Sequence, residues 1–211
     1  MTYSVKEIYF TLQGEGARTG RPAVFLRFAG CNLWSGREQD RAAAVCRFCD
    51  TEFVGTDGPG GGKFATAASL ADAVAGEWPG GGDPYVVCTG GEPLLQLDDA
   101  LIEALHQCGF EVGVESNGTL PAPAGIDWLC ISPKGNAPLA QDSGNELKLV
   151  YPQVEGEAQP RRFEHLAFDE FFLQPLDDDD REANTRRALD YCLAHPQWQL
   201  SLQTHKILGI D

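Results

Sequence analysis

Short apolar runs alternate with helix-like segments along most of the 211-residue chain. Runs typical of strands occupy residues 22–29, 85–88, 111–115, 128–131, 146–151, 170–173 and 198–207. Helical patterns cover residues 70–78, 98–108 and 181–194. This alternation predicts an α/β fold, with βα units around a parallel sheet. The 12 residues between the strands at 111–115 and 128–131 include several Pro and Gly, so they lack room for a helix and indicate an incomplete (β/α) barrel.

Length and charge limit the class of protein. A chain of 211 residues fits a single domain, and 43% hydrophobic residues are enough for a core. The formal charge of −15 argues against binding to nucleic acid or to an anionic membrane surface, because such a chain repels phosphates. No run approaches the roughly 18 apolar residues of a membrane span, and the N-terminus does not have the pattern of a signal peptide. We therefore expect a cytoplasmic protein.

The seven cysteines fall into two groups. Cys88 and Cys130 lie in apolar runs, and Cys108 and Cys192 lie in helix-like segments, where a thiol packs as a small hydrophobic group. Cys31, Cys46 and Cys49 lie in a polar, loop-like stretch and have the spacing C-x14-C-x2-C. A structural zinc site closes its shell with four protein ligands, and the histidines are all far away in the sequence. Three thiolates without a fourth ligand favour an iron–sulfur cluster with one open iron.

Two glycine-rich runs, at residues 58–62 and 79–82, are predicted to be flexible connections. The first resembles a phosphate-binding loop only superficially, because Asp57 and Phe64 stand where that motif requires Gly and Ser or Thr.

The three cysteines combine with a second motif, Thr89-Gly90-Gly91-Glu92-Pro93, which directly follows the strand predicted at 85–88. A cysteine triad after the first strand and a GGEP motif after the second resemble the radical S-adenosylmethionine (SAM) superfamily. The usual spacing there is C-x3-C-x2-C, so this chain has an extended cluster-binding loop at about 31–49. The resemblance implies a single radical SAM domain over 1–211, a partial (β/α)6-type TIM-like barrel. It also implies a [4Fe-4S] cluster held by Cys31, Cys46 and Cys49, with SAM bound at the open iron.

Further motifs follow in order along nearly the whole chain. They are Thr11-Leu12-Gln13-Gly14-Glu15-Gly16, Arg27, Cys49-Asp50-Thr51, Glu115-Ser116-Asn117-Gly118-Thr119, Ser132-Pro133-Lys134, Gln174-Pro175-Leu176 and the segment 203–210. This set resembles the family of 7-carboxy-7-deazaguanine synthases, which act in queuosine and 7-deazapurine biosynthesis. The resemblance implies conversion of 6-carboxy-5,6,7,8-tetrahydropterin to 7-carboxy-7-deazaguanine with loss of ammonia. A 5′-deoxyadenosyl radical would abstract hydrogen at C6, and the substrate radical would then contract its ring.

The family resemblance also implies site residues. Thr51 would contact Mg2+. Substrate would be bound by Leu12, Gln13, Gly14, Glu15, Arg27, Thr89, His205 and Asp211. SAM would be bound by Gly90, Gly91, Glu92, Ser132, Pro133, Lys134, Gln174, Pro175, Leu176 and Asp177. Arg27 suits the substrate carboxylate, and Glu15 suits the donor-rich edge of the pterin.

Several of these residues have structural alternatives. Glu92 either accepts a hydrogen bond from SAM or only fixes the turn. Thr51 is alternatively a loop hydroxyl, Lys134 a solvated turn residue, His205 a structural residue of the last strand and Asp211 part of an unbound tail.

The same resemblance implies partners: a small-molecule pterin, an external reductant such as flavodoxin or ferredoxin, and a second copy of the chain in a homodimer. Two other functions stay open at this point. One is a small radical SAM activase, and the other is a non-catalytic zinc or iron–sulfur module. Iron–sulfur absorbance after anaerobic purification separates the zinc module from both radical enzymes.

Overall fold

The computed structural model describes residues 2–154 and 157–210. Within these residues the chain forms nine strands and four α-helices. The strands are β1 (Tyr3–Leu12), β2 (Pro22–Phe28), β3 (Gly62–Phe64), β4 (Tyr85–Gly90), β5 (Glu111–Ser116), β6 (Trp128–Ile131), β7 (Ser143–Tyr151), β8 (Ala167–Pro175) and β9 (Gln199–Leu200). The helices are α1 (Ala67–Glu77), α2 (Asp99–Gln107), α3 (Arg181–Ala194) and α4 (Thr204–Leu208).

All nine strands belong to one sheet in the order β3-β1-β2-β4-β5-β6-β7-β8-β9. From β2 to β9 each neighbouring pair is parallel, whereas β1 runs antiparallel to β2 and β3. No helix lies between β5 and β6 or between β6 and β7. The sheet does not close, which confirms the predicted incomplete barrel.

The two faces of the sheet bury different groups. Helices α1, α2 and α3 cover one face, and their apolar residues pack with those of the strands in the main core. Capping supports two of them, because the side chains of Thr66 and Asp98 accept hydrogen bonds from Ser69 N and Leu101 N at the starts of α1 and α2. The concave face carries a small apolar cluster around Tyr85 and Val87, followed toward the strand ends by polar side chains. This polar half of the concave face positions the site.

The strand predicted for the C-terminal residues 198–207 is wrong. Only Gln199 and Leu200 pair with β8, and helix α4 follows them. Thr204 donates from its backbone N and its Oγ1 to the carbonyl of Gly14, at 2.9 and 3.0 Å. These tertiary bonds draw the chain away from β8 and toward the end of β1, so they override the local strand preference.

The apolar runs in the sequence also did not predict the strands β1 and β3. β1 is a ten-residue strand that buries Tyr3, Val5 and Ile8, and its register against β2 shifts between Val5 and Glu7. The run at 58–62 is not a flexible connection, because Gly58 N donates to Lys6 O and Ile8 N donates to Pro59 O. β3 then begins at Gly62, so this glycine run packs along β1 and ends in the edge strand. In the described part of the chain, no helix is long and apolar enough to cross a membrane.

Candidate active site

A cavity of about 440 Å³ opens at the carboxyl ends of the parallel strands. This is the end at which parallel α/β barrels bind their ligands. Of the site residues expected from the sequence, those that line the cavity are Leu12, Gln13, Gly14, Glu15, Arg27, Cys31, Cys46, Cys49, Thr51, Thr89, Gly90, Gly91, Ser132, Lys134, Gln174, Pro175, Leu176, Asp177 and His205. Glu92 and Pro133 are buried outside the lining, and Asp211 lies outside the described residues.

The three loop cysteines face the same cavity although 14 residues separate the first two. Cys31 comes three residues after β2, and its Sγ accepts a hydrogen bond from Leu33 N at 3.4 Å. Arg41 lies within the intervening loop, donates to the carbonyls of Arg47 and Cys49, and stacks over the Trp34 ring. These contacts fold the loop back, so that the C-x2-C pair lies near the end of β2.

The thiols differ in their readiness to ionise. A hydrogen bond from the Cys46 thiol lowers the pKa of Cys49 to about 6 and raises that of Cys46. Burial raises the pKa of Cys31. Among residues 2–154 and 157–210, no three His, Cys, Asp or Glu side chains have the spacing that a single metal ion requires. A [4Fe-4S] cluster makes a different demand, because each thiolate binds its own iron. Three cysteines on one cavity wall fit that donor set.

The Gly90-Gly91 turn at the end of β4 packs tightly against the start of the cysteine loop. Gly90 has φ +132°, and a β-carbon there would collide with the Phe28 backbone. A β-carbon at Gly91 would collide with the carbonyl of Gly30, which also accepts a hydrogen bond from Glu92 N at 2.9 Å. The two glycines thus let the β4 turn and the loop that leads to Cys31 approach each other.

Glu92 joins the ends of β4 and β5. Its Oε1 accepts from Leu94 N at 2.9 Å and Ser116 Oγ at 2.8 Å, and its Oε2 accepts from Asn117 N at 2.8 Å. The side chain is fully buried, and burial raises its pKa. Of the two roles left open by the sequence, this bonding supports the one in which Glu92 fixes the turn.

Glu15 belongs to a buried polar cluster on the cavity wall. Its Oε2 lies 2.7 Å from Lys148 Nζ, and its Oε1 accepts from Gln174 and Gln203, each at 3.0 Å. Lys148 Nζ also lies 3.1 Å from Glu115 Oε2, and Gln13 Nε2 donates to Glu115 Oε1 at 2.8 Å. Burial opposes ionisation of Glu15, but the Lys148 ammonium outweighs it and lowers the pKa of Glu15 to about 2. The cluster presents carboxylate acceptors to the cavity.

Two of the N–H groups of Arg27 are already bonded to other side chains of the protein. Its Nε lies 2.7 Å from Glu7 Oε1, and its Nη2 donates to Tyr9 OH at 2.8 Å. A guanidinium carries five N–H donors, so these two bonds leave capacity for an anionic group in the cavity.

Four further predicted residues, Thr51, Lys134, Pro133 and His205, lie in the cavity lining or next to it. The Thr51 hydroxyl makes no hydrogen bond within the described part of the chain, and its carbonyl accepts from Cys49 Sγ at 3.9 Å. Lys134 Nζ donates to Ser132 Oγ, so its ammonium is held at the cavity and is not a solvated turn group. Pro133 contributes its carbonyl to Gln153 Nε2 at 3.2 Å. His205 lies on α4, where its ring packs against Gly14.

Several cavity residues received no role from the sequence: Glu7, Tyr9, Asp50, Glu115, Asn117, Lys148, Gln203 and Lys206. One signal was present for Lys148. Along β7 the polar residues Glu146 and Lys148 alternate with Leu147 and Leu149, and all four are buried. When both faces of a strand are buried, its polar face can only be the one that lines the interior of the barrel.

No protein-family model matches the chain. It is 66% identical over 211 residues to a 7-carboxy-7-deazaguanine synthase of Caulobacter vibrioides and 66% identical over 213 residues to one of Bordetella pertussis, each covering 100% of both chains. Among solved structures, the crystal structure of QueE from Escherichia coli matches with a TM-score of 0.70 and 29% identity, covering 96% of this chain and 94% of that one. With the cysteine triad and the acidic cluster on one cavity, these full-length matches show that the chain belongs to the family of 7-carboxy-7-deazaguanine synthases.

Proposed function

We propose that the cavity binds 6-carboxy-5,6,7,8-tetrahydropterin beside a [4Fe-4S] cluster and SAM, and that the chain converts it to 7-carboxy-7-deazaguanine with loss of ammonia. The reaction belongs to queuosine and 7-deazapurine biosynthesis, and residues 1–211 act as one radical SAM domain. The full-length relatives named above support this function. The observation that carries it is the placement of Cys31, Cys46, Cys49 and Glu15 around one cavity.

Cys31, Cys46 and Cys49 would hold the cluster. When bound, the cluster and SAM would supply one-electron chemistry for hydrogen abstraction. The protein orients the reactants and keeps water away from them. Trp34 and Phe53, which are buried and stack edge to face beside the triad on the cavity wall, contribute to that exclusion.

The substrate has two chemically different ends. Glu15, Gln13 and the backbone of residues 12–14 bind the donor-rich pterin edge, since carboxylate and carbonyl oxygens accept the N–H groups that it offers. Arg27 binds the carboxylate, and Mg2+ at the Thr51 hydroxyl shares that charge, because this hard cation prefers oxygen ligands. Thr89 and His205 complete the substrate side.

SAM lies against Gly90, Gly91, Ser132, Lys134 and residues 174–177. The Lys134 ammonium and the Ser132 hydroxyl provide donors there, and Gln174 and the carboxylate of Asp177 provide acceptors. Glu92 and Pro133 act indirectly, by fixing the turns that carry these groups.

An anionic substrate must enter the cavity of a protein whose formal charge is −15. Attraction therefore depends on local cations at the cavity, namely Arg27, Lys134 and bound Mg2+, against the field of the rest of the surface. The enzyme receives its electron from flavodoxin or ferredoxin, acts as a homodimer and works in the cytoplasm.

Turnover tests the function directly. Anaerobically reconstituted protein, supplied with 6-carboxytetrahydropterin, SAM, Mg2+ and reductant, should form 7-carboxy-7-deazaguanine and ammonia in equal amounts. Absence of product from protein with a full cluster would overturn the proposal. Omission of Mg2+, with a chelator present, should lower the rate if the Thr51 site is used, and Thr51→Val should remove the Mg2+ dependence.

A further inference from the structure

We infer that Lys148 is a positioning residue, whose buried ammonium keeps the neighbouring carboxylates of Glu15 and Glu115 both ionised so that the cavity accepts hydrogen bonds from a ligand edge rich in N–H donors. The inference deepens the proposed function and rests on it, because the ligand edge in question is that of the pterin.

The geometry gives Lys148 two partners and almost no contact with solvent. Its side chain is 4% exposed, and Nζ lies 2.7 Å from Glu15 Oε2 and 3.1 Å from Glu115 Oε2. An ionised carboxylate has about four lone-pair sites. Protein donors use three on Glu15, from Lys148, Gln174 and Gln203, and two on Glu115, from Lys148 and Gln13. Acceptor capacity therefore remains on both carboxylates, which line the cavity.

Charge balance explains why a cation is required between them. Two carboxylates that share one partially buried site repel each other, and without a cation one of them takes up a proton. Burial disfavours the charge of Lys148, but Glu115 and Glu15 more than compensate and raise its pKa. Among the described residues, the other titratable groups that face this site are Glu146, Cys130 and Tyr85 from neighbouring strands, Arg18 after β1 and His205 from α4. Glu146 is itself bonded to Ala17 N at 3.0 Å, and burial raises its pKa.

A proton on either carboxyl group would matter chemically. It converts an acceptor into an O–H donor that faces the N–H donors of the ligand. The ligand must then displace that proton in order to bind. Loss of Lys148 should therefore make ligand affinity depend on pH, which loss of a residue that only fills space would not do.

The test measures equilibrium binding of a stable probe, 6-carboxypterin, by its fluorescence with anaerobically purified protein that carries its cluster. Affinity is measured between about pH 5.5 and 7.5, above the ordinary pKa of glutamate, and each variant is compared with wild type at the same pH. Lys148→Met should bind more weakly, and the loss should grow as pH falls, by up to tenfold per pH unit because one proton competes with the ligand. Lys148→Gln provides a second neutral variant if Lys148→Met does not fold.

Glu115→Gln and the double variant Lys148→Met/Glu115→Gln complete a mutant cycle. Removal of one carboxylate removes the repulsion, so the double variant should recover the pH profile of wild type across the same range. A neutral Lys148 variant whose affinity is weaker than that of wild type by the same factor at every pH would overturn the inference and leave the proposed function standing. Wild type that does not bind the probe at any pH would instead overturn the substrate assignment, and the inference with it.

Discussion

Lys206 Nζ lies 2.7 Å from Asp50 Oδ2, so the short C-terminal helix α4 is fastened to the residue that directly follows the last cysteine of the triad. The same ammonium lies 2.6 Å from Asp177 Oδ2, just after β8. One lysine thus connects the cysteine loop, the end of the parallel sheet and the C-terminal helix. Because α4 also carries His205 against Gly14, its position affects the shape of the cavity there.

Lys206→Met should loosen α4. Exposed ion pairs contribute roughly 0.2–1 kcal/mol each, so loss of both pairs should raise the amide hydrogen exchange rate of residues 204–210 several-fold. Peptide-resolved mass spectrometry measures this rate. The matched control is Lys63→Met, which removes an exposed lysine from β3 at the opposite edge of the sheet. Equal exchange in the two variants would show that the ion pairs do not hold the helix.

Substitution of Cys31, Cys46 or Cys49 by Ala should abolish stable cluster binding, because each thiolate holds one iron. Iron and sulfide content after anaerobic reconstitution, with the visible absorbance that dithionite bleaches, measures the cluster. Cys88→Ala is the control, since this thiol is fully buried in the apolar core, where burial raises its pKa to about 12. A full cluster in any one of the three triad variants would contradict the ligand assignment.

Glu92→Gln should destabilise the fold by about 1–3 kcal/mol, because an amide can replace only one of the two acceptor oxygens and leaves a buried N–H or O–H donor facing another donor. Urea unfolding of the purified protein measures the change. Glu103→Gln makes the same chemical change on the exposed side of α2 and should alter stability little. If the two variants are equally stable, Glu92 does not hold the β4 and β5 ends together.

Gly90→Ala should cost about 1–3 kcal/mol or more, because it combines a left-handed backbone conformation with a collision against the Phe28 backbone. The comparison is Gly76→Ala in α1, where open space surrounds the added carbon. That substitution should stabilise the protein by roughly 0.5–1 kcal/mol, since alanine favours a helix. Thermal unfolding gives both values, and a neutral Gly90→Ala would refute the requirement for close packing.

The pH dependence of stability should reflect Glu15. Its folded pKa of about 2 lies below its ordinary value of 4.5, so its contribution is fully present above about pH 4.5 and is lost as pH falls toward 2. Unfolding free energies of wild type should therefore decrease through this window. Glu15→Gln removes the titrating group and should give a shallower decrease. Identical slopes for the two proteins would mean that the Lys148 pair does not lower the pKa of Glu15.

Local patterns were enough for the central part of the fold. The strands β2, β4, β5, β6, β7 and β8 and helices α1, α2 and α3 all follow from runs of apolar residues and their period, and the ends shift by only a few residues. These elements bury large apolar faces, so the pattern and the packing favour the same structure. Local reasoning failed at both ends of the chain, where β1 and α4 take their conformation from distant partners.

The sequence by itself determined the cysteine triad, the glycine turn after β4 and the resemblance to radical SAM enzymes, because these features depend on the identity of a few residues and on their order along the chain. Only the tertiary structure decided how the acidic cluster is built. Gln203 and Glu15 are 188 residues apart in the chain, and Lys148 reaches Glu15 and Glu115 across the interior of the open barrel. Side-chain contacts between distant segments depend on where the sheet brings its strand ends, and no local pattern encodes that distance.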